Sequence, residues 1–202
     1  MSGIISQNTL DNSGLVKAQE GGGAWNFISK QTASSSANLS FTSGIDSTYK
    51  EYMFLCVNLH PASEGRMNIK FRDGGSAFDA VCTGNNFSAY NTEDASAQAL
   101  YAENEMVSTQ NATVPLIRNV GSVSDASAVI IIHLFHPSDT TFIKHYLITD
   151  TYSYGASYGS FSDRKGGYIN TASAIDGVQF VMSSGDIDSG EIAMYGLTTW
   201  QV

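Results

Sequence analysis

The sequence predicts an all-β protein: an antiparallel two-sheet β-sandwich, jelly-roll-like, with an extended N-terminal arm. Three observations carry this. Short apolar segments, roughly ten of them, recur between clusters of Gly, Ser, Asn and Asp, the punctuation of a β-sandwich. Arg66 to Arg72 alternates strictly, with Met67, Ile69 and Phe71 on one side and Asn68, Lys70 and Arg72 on the other. Val129 to Phe135 and the segment from Thr141 flank Pro137-Ser-Asp-Thr-Thr, the layout of a hairpin. No fixed-period repeat is present, which argues against propellers and solenoids.

Two parts follow from the pattern: an arm with a Gly hinge over residues 1–23 and a β-sandwich domain over 24–202. The arm carries Ile4, Ile5, Leu10, Leu15 and Val16 without a clear period and meets Gly21-Gly-Gly, a flexible joint. Apolar side chains on a hinged segment gain stability only by docking, so the arm is expected to lie on a neighbouring subunit or in a groove.

The first strand is expected at Trp25, with Trp25 and Phe27 inward. Leu39 and Phe41 mark the second. Glu51 to His60 is largely apolar and reads as a central strand buried on both faces. After Arg72, Asp73-Gly-Gly signals a turn, and Phe78 to Cys82 reads as the returning strand. Residues 83–111 are open. Asn91 to Met106 suits either a short helix capped by Thr92 or a long polar loop. Val114 to Val120 is a strand whose Pro115 argues for a sheet edge. Val129 to Phe135 reads as a second doubly buried strand, paired with Thr141 to Ile148. Tyr168 to Thr171, Val178 to Met182 and Glu191 to Leu197 complete the set. The expected core is Trp25, Phe41, Phe54, Val57, Ile69, Phe71, Ile131, Phe180, Ile192 and Tyr195.

Composition bounds function. Hydrophobic residues make up 42% of the chain, enough for a substantial core. Charged residues make up only 14%, so polarity comes from Ser, Thr, Asn and Gly. Such a surface is either covered by other subunits or an ordinary uncharged β surface. The net charge of −9 and the lack of a basic run weigh against nucleic acid as a partner. The first residues have neither a basic leader nor a long apolar run, so synthesis in a cytoplasm without a secretory signal is expected. No stretch approaches the roughly 20 apolar residues of a helical membrane span, and no membrane partner is expected.

The residue types that carry chemistry are present without a catalytic pattern. His60 and His136 precede prolines, while His133 and His145 fall on facing hairpin strands; sheet histidines bonded to neighbours explain all four better than a metal does. There is no Gly-x-Ser-x-Gly elbow and no phosphate-binding Gly loop. Asp186-Ile-Asp-Ser-Gly-Glu resembles a calcium loop in composition but not in spacing, and a tight turn is the better reading. Cys56 and Cys82 fit one disulfide or two buried free thiols, with the thiols preferred. No enzyme, cofactor or metal is expected. The one functional-looking element is Thr151 to Phe161, where Tyr152, Tyr154, Tyr158 and Phe161 sit among Ser and Gly as in recognition loops. It reads as a subunit contact first and a glycan contact second.

Several stretches carry a family resemblance. They are Ala37-Asn-Leu-Ser-Phe-Thr-Ser-Gly-Ile-Asp-Ser-Thr-Tyr-Lys-Glu-Tyr, Asn58-Leu-His-Pro-Ala, and His136-Pro-Ser-Asp-Thr-Thr-Phe-Ile-Lys-His-Tyr. With them go Gly167-Tyr-Ile-Asn-Thr-Ala-Ser-Ala-Ile-Asp-Gly-Val-Gln-Phe and Gly190-Glu-Ile-Ala-Met-Tyr-Gly-Leu. Together, from about residue 25 onward, they resemble a β-sandwich module of structural proteins in marine tailed bacteriophages. The resemblance implies a virion location and a non-enzymatic role, first as a capsid decoration (cement) protein and second as a tail-associated or receptor-binding fibre module that contacts host glycans. It implies the major capsid protein or other virion proteins as partners and a homo-oligomer, with a trimer as the form to test. A glycan-active enzyme on the same scaffold is a weak third reading. The motifs are structural, so no catalytic residue is carried over.

Overall fold

A computed structural model describes residues 25–102, 104, 108–155 and 159–197. The arm residues Ile4, Ile5, Leu10, Leu15 and Val16, and Tyr158, lie outside the described residues. Among the described residues the fold is all strand: β1 (Trp25–Thr32), β2 (Asn38–Phe41), β3 (Glu51–Pro61), β4 (Gly65–Arg72), β5 (Cys82–Thr92), β6 (Gln98–Ala102), β7 (Thr109–Asn111), β8 (Val114–Val120), β9 (Ala128–Phe135), β10 (Lys144–Ser153), β11 (Gly159–Ile169), β12 (Gly177–Met182) and β13 (Ile187–Leu197).

The strands form two antiparallel sheets, so the chain is a two-sheet β-sandwich. The larger runs β1-β13-β3-β9-β10-β11-β5-β6, with β7 also on β5, and the smaller runs β2-β12-β4-β8. The core lies between them. Phe54 of the large sheet meets Phe41 and Phe180 of the small one at ring separations of 5.4 and 5.8 Å. Phe71 stacks on Tyr146 across the same gap at 5.9 Å. Ile69, Ile130, Ile132, Val178 and Ile192 fill the space around them, all fully buried.

Several expectations need correction. β3 and β9 are central, as read, but each buries one face. Tyr52, Phe54 and Cys56 point inward while Met53, Leu55 and Val57 point outward, and β9 alternates likewise. Val57 is 38% exposed and Ile131 only partly buried, so neither belongs to the core. Trp25 and Phe27 also face outward. A bulge between Phe27 and Ser29 resets the phase, and Ile28 packs on the core instead. Tyr195 lies partly buried on the outer face against Phe27, at 5.7 Å.

The Asp73-Gly-Gly turn forms, with Gly74 and Gly75 at φ of 103° and 72°, but no hairpin follows. Phe78 to Val81 is not a strand. The chain crosses over and enters the large sheet as β5 at Cys82. From Asn91 to Ala102, the stretch expected as helix or polar loop is the turn and second strand of the β5–β6 hairpin. Thr92 caps its turn rather than a helix: its hydroxyl accepts from the Ala97 amide at 3.0 Å and donates to the Ala97 carbonyl at 3.1 Å. β8 is an edge strand, as Pro115 indicated.

Candidate functional site

The first candidate is the outer face of the large sheet. Strand alternation and register place Trp25, Phe27, Tyr195, Leu197, Met53, Leu55, Val57, Val129, Ile131, Phe135 and Leu147 on one side of five neighbouring strands. Phe27 is 61% exposed and Leu147 47%. The charged members of this face are few: Lys30 pairs with Glu191 at 2.6 Å, and Glu51 accepts from or pairs with His133 at 2.7 Å. Sequence reading placed Trp25, Val57, Ile131 and Tyr195 in the core and read the runs holding Met53, Leu55, Val129 and Phe135 as buried on both faces. A continuous apolar run has the same appearance whether its second face meets the protein's own core or a neighbour.

The second candidate is a polar groove at one end of the sandwich. Three connected depressions share Asp125 and neighbouring serines. One, of about 430 Å³, is lined by Asn91, Thr92, Glu93, Ser127 and Ser160 among others. The next is lined by Asn58, His60, Ser122, Asp188 and Ser189, and the third by Glu93, Val123 and Gly155. The lining is rich in hydroxyls and carboxylates, and its aromatic member among the described residues, Tyr152, is buried.

The described residues of the Tyr-rich segment belong to the β10–β11 hairpin, registered from Lys144 opposite Ile169 to Ser153 opposite Ser160. Tyr152 and Phe161 point inward and are buried. Phe161 stacks on Tyr154 at 4.5 Å and on Tyr90 at 4.9 Å. Burial holds the Tyr152 phenol well above its ordinary pKa. These rings anchor the hairpin, so Tyr152 and Phe161 offer no ring to a subunit or a glycan. Tyr154 is half-buried.

Beside this aromatic cluster lies a group of polar side chains that sequence reading missed. Lys165, on β11, places Nζ 2.9 Å from Asp150 Oδ2 and 2.9 Å from Asp163 Oδ2. All three side chains are almost fully buried, at 2% exposure for the lysine and 0% for both acids. Asp150 Oδ1 accepts from the Asp163 amide at 3.1 Å. The Ser88 hydroxyl donates to Asp163 Oδ1 at 2.6 Å, and Asn86 Nδ2 donates to Ser88 at 3.1 Å. Burial, more than any other cause, pushes the Asp150 carboxyl up to about 7.

The histidines are spread over the molecule. His60 Nε2 meets the Val123 carbonyl at 3.1 Å, and His136 Nε2 meets Lys50 Nζ at 2.6 Å. His133 faces Glu51, and His145 packs edge-on to Tyr168. Among the described residues no group of three or more His, Cys, Asp or Glu could hold a metal. The acidic stretch after Gly185 is a turn into β13: Asp186 accepts the Ala62 amide through its carbonyl, Asp188 bonds the Ser35 hydroxyl and Glu191 bonds Lys30. Cys56 and Cys82 are free and buried, and burial pushes the Cys82 thiol up to about 12.

Compared with known proteins, the chain matches no family model, no curated protein and no solved structure.

Proposed function

We propose that this protein is a non-enzymatic structural protein of a tailed-bacteriophage virion, acting as a capsid decoration protein on the particle exterior. The observation that carries the reading is the outer face of the large sheet. Exposed apolar patches of this breadth are rare on monomers and mark protein–protein contacts. Trp25, Phe27, Val57 and Leu147 are the kind of side chains such a contact buries. A homo-oligomer, with a trimer as the form to test, would cover them, and the major capsid protein or another virion protein would hold the assembly.

The winding supports the same reading. Without β5–β7, β10 and β11, the sandwich reduces to β1-β13-β3-β9 facing β2-β12-β4-β8. Successive strands of this reduced set change sheet at every step except β4 to β8. We read this as a jelly roll extended at one sheet edge by the two inserts. Jelly rolls serve in viral capsids and in lectins, so the architecture is compatible with the role without establishing it.

A second reading rests on the groove around Asp125. Its hydroxyls and carboxylates suit sugar hydroxyls, which favours a tail-associated or receptor-binding fibre module. Mass spectrometry of separated heads and tails from purified virions decides between the two. Peptides of this chain in the head fraction, present in many copies, support decoration. Peptides confined to tails overturn it in favour of the fibre module, and absence from both fractions overturns the virion reading altogether.

A further inference from the structure

We propose that Lys165 and Asp150 are joined by an isopeptide bond that the folded protein forms on its own. The bond would link Nζ of Lys165 to Cγ of Asp150 and so staple β10 to β11. The geometry supplies each participant. Asp150 lies opposite Asp163 in the hairpin register, and Lys165 lies opposite Ile148, so all three side chains stand on the inner face. The lysine amine touches both carboxyl groups at 2.9 Å.

The step balances without any further reactant. The Asp163 carboxylate takes one proton from the Lys165 ammonium, leaving a neutral amine. The amine attacks Cγ of the protonated Asp150 carboxyl. The Asp163 backbone amide, 3.1 Å from Asp150 Oδ1, donates to the oxygen that becomes negative in the tetrahedral intermediate. Asp163 returns its proton to the departing hydroxyl, and water leaves. The same carboxylate then accepts the surplus proton on nitrogen. One C–N bond forms, one C–O bond breaks, and nothing is oxidised or reduced.

Burial favours condensation over the ion pair. Two carboxyl groups and one ammonium in an apolar interior carry a large desolvation penalty, and an amide removes one charge of each sign. The pKa of Asp150, raised to about 7, populates at neutrality the protonated carboxyl that an amine can attack. Ser88 and Asn86 act as positioning residues, because the Ser88 hydroxyl fixes Asp163 and Asn86 fixes Ser88. Tyr146, Tyr152 and Phe161 lie on the same inner face and keep it apolar.

A tryptic map of the full-length folded protein tests the bond. Trypsin cleaves after Lys144 and Arg164 but not after an acylated Lys165. The bonded chain therefore gives one branched species joining residues 145–164 to 165–202, lighter by one water than the two peptides summed. Asp163→Asn, checked for folding by circular dichroism, is expected to give the separate peptides, as is Lys165→Arg. Separate peptides from the folded unmutated protein, with cleavage after Lys165, overturn the proposal and leave an ion triad. A branched peptide of undiminished yield from Asp163→Asn overturns the role given to Asp163.

Discussion

Single residues show how closely the two sheets interlock. Phe54, Phe41 and Phe180 form one aromatic contact across the sandwich, and all are buried. Replacing Phe180 by Ala removes the ring that touches both others and leaves a cavity that rigid strands cannot close. Chemical denaturation should show a loss of about 3–5 kcal/mol. Gly190 is constrained differently. Its φ is 113°, and a Cβ there would lie 2.5 Å from the Asn58 carbonyl oxygen, where the bulges of β3 and β13 meet. Gly190→Ala should lower stability by more than about 1 kcal/mol, since backbone strain and steric overlap add. Tyr146 offers the opposite case. Its ring lies over the paired glycines Gly84 and Gly167, and its hydroxyl is buried without a hydrogen-bond partner among the described residues. Tyr146→Phe removes the unpaired hydroxyl and keeps the ring. It should raise the denaturation midpoint by the equivalent of about 1 kcal/mol. A lower midpoint would show that the hydroxyl has a partner after all.

At the scale of elements, the strands that sequence reading placed well are those with ordinary alternation. β4, with Met67, Ile69 and Phe71 buried, is one, and β12 with Val178 and Phe180 is another. The strands it missed have the pattern reversed. In β5, Asn86 and Ser88 point inward while Phe87 is 56% exposed. In β10 and β11, Asp150, Asp163 and Lys165 point inward while Leu147 points out. Polar residues inside and apolar residues outside invert the usual binary signal, so residues 83–111 stay open in the sequence and Thr151 to Phe161 reads as a recognition loop. The inversion also hid the lysine–aspartate cluster, because its members converge only when β10, β11 and β5 pair. The doubly apolar β3 and β9 were misread for a related reason: their second face meets solvent in the monomer. This gives a test of the interface. Leu147→Lys combined with Val57→Lys changes two outward side chains and no core contact. Unfolding should shift by less than about 1 kcal/mol. Sedimentation should show smaller species than the unmutated protein forms. An unchanged sedimentation profile for a protein that does oligomerise would move the interface elsewhere.

The whole molecule combines a low-charge surface, an apolar sheet face and an N-terminal segment with its own apolar residues. With 14% charged residues and a net charge of −9, the association we propose would rest on burial of surface rather than on opposite charges between copies. The arm belongs to this argument, although Ile4, Ile5, Leu10, Leu15 and Val16 lie outside the described residues. It enters β1 directly, and β1 is an edge of the large sheet whose outer face is apolar. Ordering an arm opposes docking by about 1–2 kcal/mol of backbone entropy per residue. Burial returns roughly 25 cal/mol per Å² of apolar area, so only a long contact with several of these side chains would hold. We expect that contact on a neighbouring subunit or on the capsid surface, in an extended form able to add a strand to an exposed edge. Deleting residues 2–20 should leave a sandwich with unchanged unfolding, because the core rings Phe54, Phe71 and Phe180 find partners in one another, Phe41 and Tyr146. The same deletion should abolish stable occupancy when the protein is added back to particles that lack it. Full occupancy by the truncated chain would show that the sheet face alone anchors the protein and that the arm is not the attachment device.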